Sequence, residues 1–300
     1  MEEFKSGFVS VIGRTNVGKS SLINELVGEK IAAVANKVQT TRTAIRGIVN
    51  RPNSQIIFVD TPGIHKPKTK SSDTMIETAF GMIQEVDLVL FVIEATSTEI
   101  GRGDQKIFDR IKEAGKKTIL VINKIDLTSK ENLAQLIERY AKEYPFEAVV
   151  PISTVKKKGL EELLQEIEKT LKPGPAYYDQ EEYTDQTLRQ LVEEIVREKA
   201  LKLLQDEVPH GIFVEVEKMK SRKTKNAEFI YDVDCCIYCQ RDSHKGIIIG
   251  KNGQMLKKIG TYAREDLEKM IDCKINLKLW VKVNQDWMNN ENLVKKFKLQ

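Results

Sequence analysis

The stretch Gly7-Phe8-Val9-Ser10-Val11-Ile12-Gly13-Arg14-Thr15-Asn16-Val17-Gly18-Lys19-Ser20-Ser21 decides the fold. An apolar run stops at a glycine, crosses a polar turn and enters a helical pattern with Leu22, Ile23, Leu26 and Val27 on one face, ended by Gly28. Gly13 and Gly18 bracket the residues ahead of Lys19-Ser20, which completes the G-x-x-x-x-G-K-[ST] spacing in a strand-to-helix context. Glycine lets the backbone approach an anion closely, and successive N–H groups at the positive end of a helix make a nest for phosphate oxygens. Gly13, Arg14, Thr15, Asn16, Val17, Gly18, Lys19, Ser20 and Ser21 are therefore expected to wrap a chain of phosphates. Lys19 would bridge the β- and γ-phosphates, and the Ser20 hydroxyl would ligate Mg²⁺.

Working outward, the chain has 300 residues, of which 41% are hydrophobic and 31% charged, enough to build two cores and keep them soluble. The net charge is only +4, so contact with nucleic acid has to be argued from particular stretches. No apolar run approaches the ~20 residues of a membrane span, and Met1-Glu2-Glu3-Phe4-Lys5 lacks the basic start and apolar core of a signal peptide. A cytoplasmic protein is expected. The four cysteines, Cys235, Cys236, Cys239 and Cys273, all fall in the last quarter and make no disulfide framework.

After the loop, residues 31–43 include the polar run Gln39-Thr40-Thr41-Arg42-Thr43, read as a switch loop with Thr41, or alternatively Thr40, as the second Mg²⁺ ligand. Residues 44–50 and 54–60 read as a hairpin about Arg51-Pro52-Asn53. Its second strand ends at Asp60-Thr61-Pro62-Gly63, which puts a carboxylate where it can hold Mg²⁺ through water and the Gly63 N–H beside the γ-phosphate. Residues 65–73 have few apolar anchors, so they can order or melt with that phosphate. Two continuous apolar runs, residues 87–93 and 118–122, carry the signature of parallel strands covered on both faces. The second leads into Asn123-Lys124-Ile125-Asp126, where Asp126 can accept from guanine N1–H and its exocyclic amine, which selects GTP over ATP. Residues 149–152 lead to Ser153-Thr154, whose backbone N–H could donate to guanine O6. In this order the motifs make Lys19, Thr41 and Gly63 the expected catalytic set, with Ser20, Thr41 and Asp60 on Mg²⁺ and GTP or GDP as the nucleotide.

Residues 159–171 read as an amphipathic helix, stopped by Lys172-Pro173-Gly174-Pro175. The expected organisation is a nucleotide domain over 1–171, a linker over 172–184 and a second domain over 185–300. Thr184 or Asp185 is placed as the cap of a helix with Leu188, Leu191, Val192, Ile195, Val196 and Leu203 on one face. Strands over 211–219 and 228–239 follow, joined by the basic connection Lys220-Ser221-Arg222-Lys223-Thr224-Lys225-Asn226. Next comes Gly246-Ile247-Ile248-Ile249-Gly250-Lys251-Asn252-Gly253, then a helical stretch over 254–271 and a strand over 275–283. A Gly-x-x-Gly loop between two helices lets backbone N–H groups approach sugar-phosphate while bases lie in the adjoining groove. From Lys245 to Arg264 there are five basic residues and no acidic one, so Lys245, Gly250, Lys251, Asn252, Gly253, Lys257 and Lys258 are the expected RNA-binding residues. Cys236-x-x-Cys239 lies in a strand, where residues three apart face opposite sides, so no metal site is expected, with His244 and Cys273 the only other available ligands. The segment 287–300 mixes Met288, Leu293, Val294 and Phe297 with Lys295, Lys296 and Lys298; packing on the second domain, contact with RNA and contact with a membrane surface all stay open.

Together the four nucleotide motifs resemble the translation-factor-like GTPases. Asn16, Thr40-Thr41-Arg42 and Asp60-Thr61-Pro62-Gly63 resemble the Era branch of that group over residues 7–171. Ile64 stands where Ras-like relatives carry a water-orienting glutamine. The resemblance implies instead that Asn16 helps hold K⁺ near the phosphates in place of an arginine finger, and that hydrolysis is slow unless stimulated. Thr15 replaces the family's usual proline and Thr154 an alanine. The order helix, strand, strand, helix, helix, strand resembles a type II KH domain over about 180–290, and Trp280-Val281-Lys282-Val283 resembles that family's ending. The implied fold class is an α/β P-loop GTPase domain with a mostly parallel sheet, followed by an α+β type II KH domain. The implied partner is the 3′ end of 16S rRNA during 30S subunit assembly, bound by a monomer that is cytoplasmic or peripheral at the inner face of the membrane. The competing reading is a constitutive KH RNA-binding protein or chaperone in which nucleotide is mainly structural; an RNA-modifying enzyme finds no supporting constellation in the second domain.

Overall fold

The apolar strand Lys5–Ile12 (β1) leads through the glycine turn into the helix Lys19–Val27 (α1), which Gly28 terminates in a left-handed conformation with its N–H donating to the Asn24 carbonyl. The computed structural model describes residues 3–34, 45–60, 81, 83–96, 99–204, 212–223 and 229–284. Thr40, Thr41, Gly63, residues 65–73 and the segment 287–300 lie outside the described residues. The chain divides into two compact units, residues 1–29 with 41–185, and residues 30–40 with 186–299.

In the first unit the hairpin forms as Ile45–Arg51 (β2) and Ser54–Asp60 (β3), followed by Leu88–Glu94 (β4), Arg102–Ala114 (α2), Thr118–Asn123 (β5), Lys130–Glu143 (α3), Ala148–Pro151 (β6) and Leu160–Thr170 (α4). The sheet order is β2-β3-β1-β4-β5-β6, with only β2 antiparallel to its neighbour. Every residue of β5 is buried, as a continuous apolar run requires when both faces are covered. One face packs Phe91, Ile93, Leu120 and Ile122 against Phe108 and Ile111 of α2 and Leu136 and Tyr140 of α3. Phe108 stands at the centre of this layer, with ring centroids 6.1 Å from Phe91, 6.2 Å from Tyr140 and 5.9 Å from Phe146. The alternate strand residues Val9, Val11, Leu90, Val92, Ile119 and Val121 are buried as well, so both sides of the sheet are dry. Parallel order brings the ends of β1, β3, β4 and β5 to one edge, where ligands bind in such sheets.

Residues 172–184 run along this same unit. Gly174 N–H donates to the Phe4 carbonyl, Gln55 accepts from the N–H groups of Tyr177 and Tyr178, and Asn50 Nδ2 donates to the carbonyls of Gln180 and Glu182. Thr184 and Asp185 do not cap the next helix. Thr184 Oγ1 donates to the Arg46 carbonyl and Asp185 pairs with the Arg46 guanidinium at 3.0 Å. The helix Leu188–Leu203 (α5) is capped by Thr187, which forms a reciprocal capping box with Gln190. The Thr-x-x-Gln pattern outcompetes the two upstream residues because it satisfies two end groups at once.

The second unit continues with Phe213–Lys223 (β7), Phe229–Cys239 (β8), Asp242–Ile249 (α6), Gln254–Ile271 (α7) and Lys274–Val283 (β9). β8 is central, antiparallel to β7 and parallel to β9. Val192, Ile195, Val196 and Ala200 of α5, with Ile259, Ala263 and Leu267 of α7, pack on Val214, Val233, Cys235, Ile237 and Val281 of the sheet. The basic run that reads as a loop is in part strand: β7 continues to Lys223, because Arg222 pairs across the ladder with Asp232 at 2.5 Å. Cys235 and Cys239 join this core, and Cys236, one residue out of that period, faces the other side. Burial raises all three thiol pKa values, that of Cys236 to about 11.

Candidate functional site

The turn after β1 is bounded by two glycines that nothing larger can replace. A Cβ on Gly13 would lie 2.3 Å from the Val92 carbonyl oxygen, and one on Gly18 would lie 2.4 Å from Asn123 Nδ2, at a φ of +101° that L side chains rarely adopt. Lys19 is buried; its Nζ sits inside the turn and donates to the carbonyls of Gly13 (3.0 Å) and Arg14 (2.8 Å). Asn16, at the crest, has a left-handed φ of 66°. Ser20 and Ser21 begin α1, where the helix end presents N–H groups and positive potential.

The second cluster lies at the end of β5 and is tied to the first by one side chain. Asn123 is fully buried; its Nδ2 donates to the Val17 carbonyl at 2.9 Å, and its Oδ1 accepts from Lys124 N–H at 2.8 Å and Thr154 N–H at 3.2 Å. Asparagine alone offers a donor and an acceptor on one short planar group, so it can clamp three chain segments at once. Asp126 is exposed on the same edge, and its Oδ1 accepts a 2.5 Å hydrogen bond from Ser153 Oγ, which holds its carboxyl below the usual carboxylate range. Ser153 N–H donates to the Lys158 carbonyl. Both backbone N–H groups read from sequence as donors to guanine O6 therefore have partners within the chain. In this structure Ser153 orients Asp126, and Thr154 supports Asn123.

Asp60 ends β3 beside β1, on the edge that carries Gly13. Hard oxygen donors of the kind Mg²⁺ takes are a hydroxyl and a carboxylate, the residue types that Ser20 and Asp60 bring to this edge, and the glycine cradle with its internal ammonium suits an anion.

The sequence reading did not single out a third feature of this edge. Arg14 Nε donates to Asp104 Oδ1 at 2.8 Å, and Lys124 Nζ pairs with Glu94 Oε2 at 2.7 Å. No local pattern announces these contacts, since they join residues 30 and 90 positions apart.

In the second unit, α6 ends at Gly250, and Gly250 to Gly253 turn the chain into α7, with Lys251 and Asn252 exposed at the tip and Asn252 at a φ of 52°. Beside this loop, between α7 and β9, lies a groove of about 500 Å³ lined by Gly253, Leu256, Lys257, Gly260, Arg264 and Leu279 among others. Gly260 gives it depth, because a Cβ there would meet Leu279 Cδ1 at 3.2 Å. Lys257 and Lys258 are exposed, whereas Lys245 is half-buried. Leu256 and Gly260 were legible in principle: with Gly253, Lys257 and Arg264 they fall at i, i+3, i+4, i+7 and i+11 along one helix stripe. Among the described residues no group of three or more histidine, cysteine or acidic side chains is arranged to hold a metal.

A phosphate cradle locked to a guanine-reading turn, ahead of a helix-Gly-x-x-Gly-helix unit, defines a P-loop GTPase that carries a KH domain. The family model described as 50S ribosome-binding GTPase matches residues 8–124, and the KH domain model matches residues 207–288. GTPase Era of Caldanaerobacter subterraneus subsp. tengcongensis is 50% identical over 293 residues, covering 98% of this chain and 97% of its own. GTPase Era of Clostridioides difficile is 49% identical over 295 residues, covering 98% of each. A crystal structure of Era in complex with MgGDPNP and nucleotides 1506-1542 of 16S ribosomal RNA superimposes with a TM-score of 0.92 at 40% identity over 99% of both chains. An Aquifex aeolicus Era variant bound to GDP.AlF4- is equally similar, with a TM-score of 0.92. The chain belongs to the Era family of GTPases.

Proposed function

We propose that this GTPase is a nucleotide-controlled RNA-binding switch of small-subunit assembly. In this reading Gly13 to Ser21 wrap the phosphates, Asn123, Lys124 and Asp126 hold the guanine with Ser153 acting through Asp126 and Thr154 through Asn123, and Lys19 neutralises charge between the β- and γ-phosphates. Ser20, Asp60 and Thr41 hold Mg²⁺, which when bound offsets the charge that develops on the transferred phosphoryl group. Thr41 and the Gly63 N–H sense the γ-phosphate, and Asn16 takes part in a K⁺ site at the crest of the loop. Water is the nucleophile, and the chain's contribution is positioning and electrostatics rather than a general base. The observation that carries the nucleotide half is the Asn123 clamp, which joins the Val17 carbonyl of the phosphate loop to the turn holding Asp126.

For the RNA half, Lys245, Gly250, Lys251, Asn252, Gly253, Lys257 and Lys258 would approach the sugar-phosphate backbone, with bases in the groove between α7 and β9. The relative crystallised with nucleotides 1506-1542 of 16S ribosomal RNA supports the 3′ end of that RNA, within the 30S subunit, as the partner of this chain. The proposed domain limits are 1–171 for the GTPase domain, 172–184 for the linker and 185–300 for the KH domain with its tail. The proposed location is the cytoplasm, with a fraction on the inner face of the membrane, and the proposed state is monomeric. The test is binding of a fluorescent oligonucleotide copied from the 16S 3′ end, at one fixed salt concentration, to protein loaded with GDP or with a non-hydrolysable GTP analogue. Markedly tighter binding in the GTP-like state is expected. Equal binding would favour a constitutive RNA binder whose nucleotide is structural.

A further inference from the structure

We propose that the first turn of α2 is a positioning device for the phosphate loop, in which Gly103 and Asp104 seat the Arg14 side chain and Glu94 links that seat to Lys124 of the guanine-reading turn. The proposal rests on reading Gly13 to Ser20 as the phosphate-binding loop, and it gives Arg14 a role directed away from the nucleotide.

Three observations meet on Arg14. The first is the ion pair with Asp104, a residue only 1% exposed. A buried carboxylate is costly unless it is paired, so the fold has accepted a desolvation penalty at this position. Burial pushes the Asp104 pKa up and the Arg14 guanidinium pulls against it. The second is Gly103, whose backbone does not require glycine, since its φ lies outside the left-handed range. Space accounts for it here: a Cβ on Gly103 would lie 2.7 Å from Arg14 Cδ and 3.3 Å from Cγ. The third is Glu94 at the end of β4, with Oε1 3.7 Å from Arg14 Nη2 and Oε2 2.7 Å from Lys124 Nζ. One carboxylate therefore faces a cation from the phosphate loop and a cation from the guanine turn.

The consequence follows along Arg14 itself. Its carbonyl accepts from Lys19 Nζ at 2.8 Å, so the residue that α2 holds by the side chain holds the phosphate-binding lysine by the main chain. Releasing the guanidinium frees the carbonyl to move, and with it the ammonium that meets the phosphates. Asp104 and Gly103 touch no nucleotide; they act through Arg14.

The experiment is stopped-flow release of a fluorescent GDP analogue from Asp104→Asn, Gly103→Ala, Arg14→Lys and Lys19→Ala, with melting of each nucleotide-free protein in parallel. Replacing a charge-assisted bond by a neutral one is expected to speed release roughly 10-fold in Asp104→Asn. Gly103→Ala should do likewise although every charge is retained, and Arg14→Lys, at a side chain one-third exposed, should fall between these and the parent. The double variant Asp104→Asn with Arg14→Lys should release no faster than the quicker single variant, since both break one link. Parental release rates in Asp104→Asn and Gly103→Ala, with fast release in Lys19→Ala, would overturn the positioning role and leave the phosphate-loop reading standing. Parental release in Lys19→Ala would overturn that reading itself. A uniform fall in melting temperature with unchanged release would assign Asp104 to stability alone and also sink the proposal.

Discussion

Replacing Asn123 by alanine should damage the nucleotide domain before any nucleotide is bound. The side chain is fully buried and closes three contacts with main-chain groups, the Val17 carbonyl and the N–H groups of Lys124 and Thr154, and its Oδ1 also accepts from Thr154 Oγ1 at 3.4 Å. Truncation to alanine orphans the three main-chain groups. Lys124 is partly exposed, so water can reach its N–H, but Thr154 is only 7% exposed and the Val17 carbonyl faces the same interior. At about 1–3 kcal/mol for each buried group left unsatisfied, two dry orphans cost about 2–4 kcal/mol once partial relaxation is allowed. For a domain of this size that lowers the melting temperature by roughly 5–15 °C. The assay is differential scanning calorimetry of nucleotide-free protein, following the transition that GDP shifts upward in the parent. A loss below 1 kcal/mol in that transition would refute the claim that Asn123 is the structural clamp between the two halves of the site.

Other outcomes follow from the same geometry. Asp126→Asn should move preference from guanine to xanthine nucleotides in competition binding, because the carboxylate oriented by Ser153 Oγ would no longer match guanine's two donors. Its pKa is held low by that hydrogen bond, so the carboxylate stays ionised and guanine binding should show no loss from its protonation between pH 7 and pH 5, as a GDP titration over that range would reveal. Lys251→Asp combined with Asn252→Asp should weaken oligonucleotide binding at least tenfold and flatten its salt dependence while melting is unchanged, since both residues are exposed at the tip of the loop. Thiol titration at pH 8 should find Cys273 reacting first, with Cys235, Cys236 and Cys239 slow until denaturant is added, because burial raises those three thiol pKa values and starves them of thiolate. Phe108→Ala should cost about 3–5 kcal/mol in the same nucleotide-sensitive transition.

Much of this was written in local patterns. The phosphate loop, the hairpin about Pro52, the apolar run of β5 and the Gly-x-x-Gly turn are each set by neighbours within a few residues, and the structure forms them close to the expected bounds. The cap of α5 was misplaced because Thr184, Asp185 and Thr187 are all competent caps, and only the pairing of Thr184 and Asp185 with Arg46 removes two of them. The extension of β7 was hidden by its charge, since a basic run reads as solvated until Asp232 on β8 is known to lie within reach of Arg222. In the site, motif spacing located Asn123 and Asp126 but not their different settings: one is a buried clamp and the other an exposed carboxylate held by Ser153. Seating of Arg14 by Gly103 and Asp104 depends on packing between distant segments, which no window of sequence contains.

The strand orders carry a consequence for synthesis. The first sheet has its last strand by residue 151 and its unit ends at residue 185, so that unit can close while the second is still emerging. The second sheet is different, because its central strand pairs on one side with a nearby hairpin partner and on the other with β9, which begins only at Lys274. Until β9 arrives, one edge of β8 has no partner, and an open edge of this kind invites pairing with another chain. A chain cut between residues 240 and 273 would thus join a complete first sheet to a KH sheet with an open strand edge, the form most in need of a chaperone.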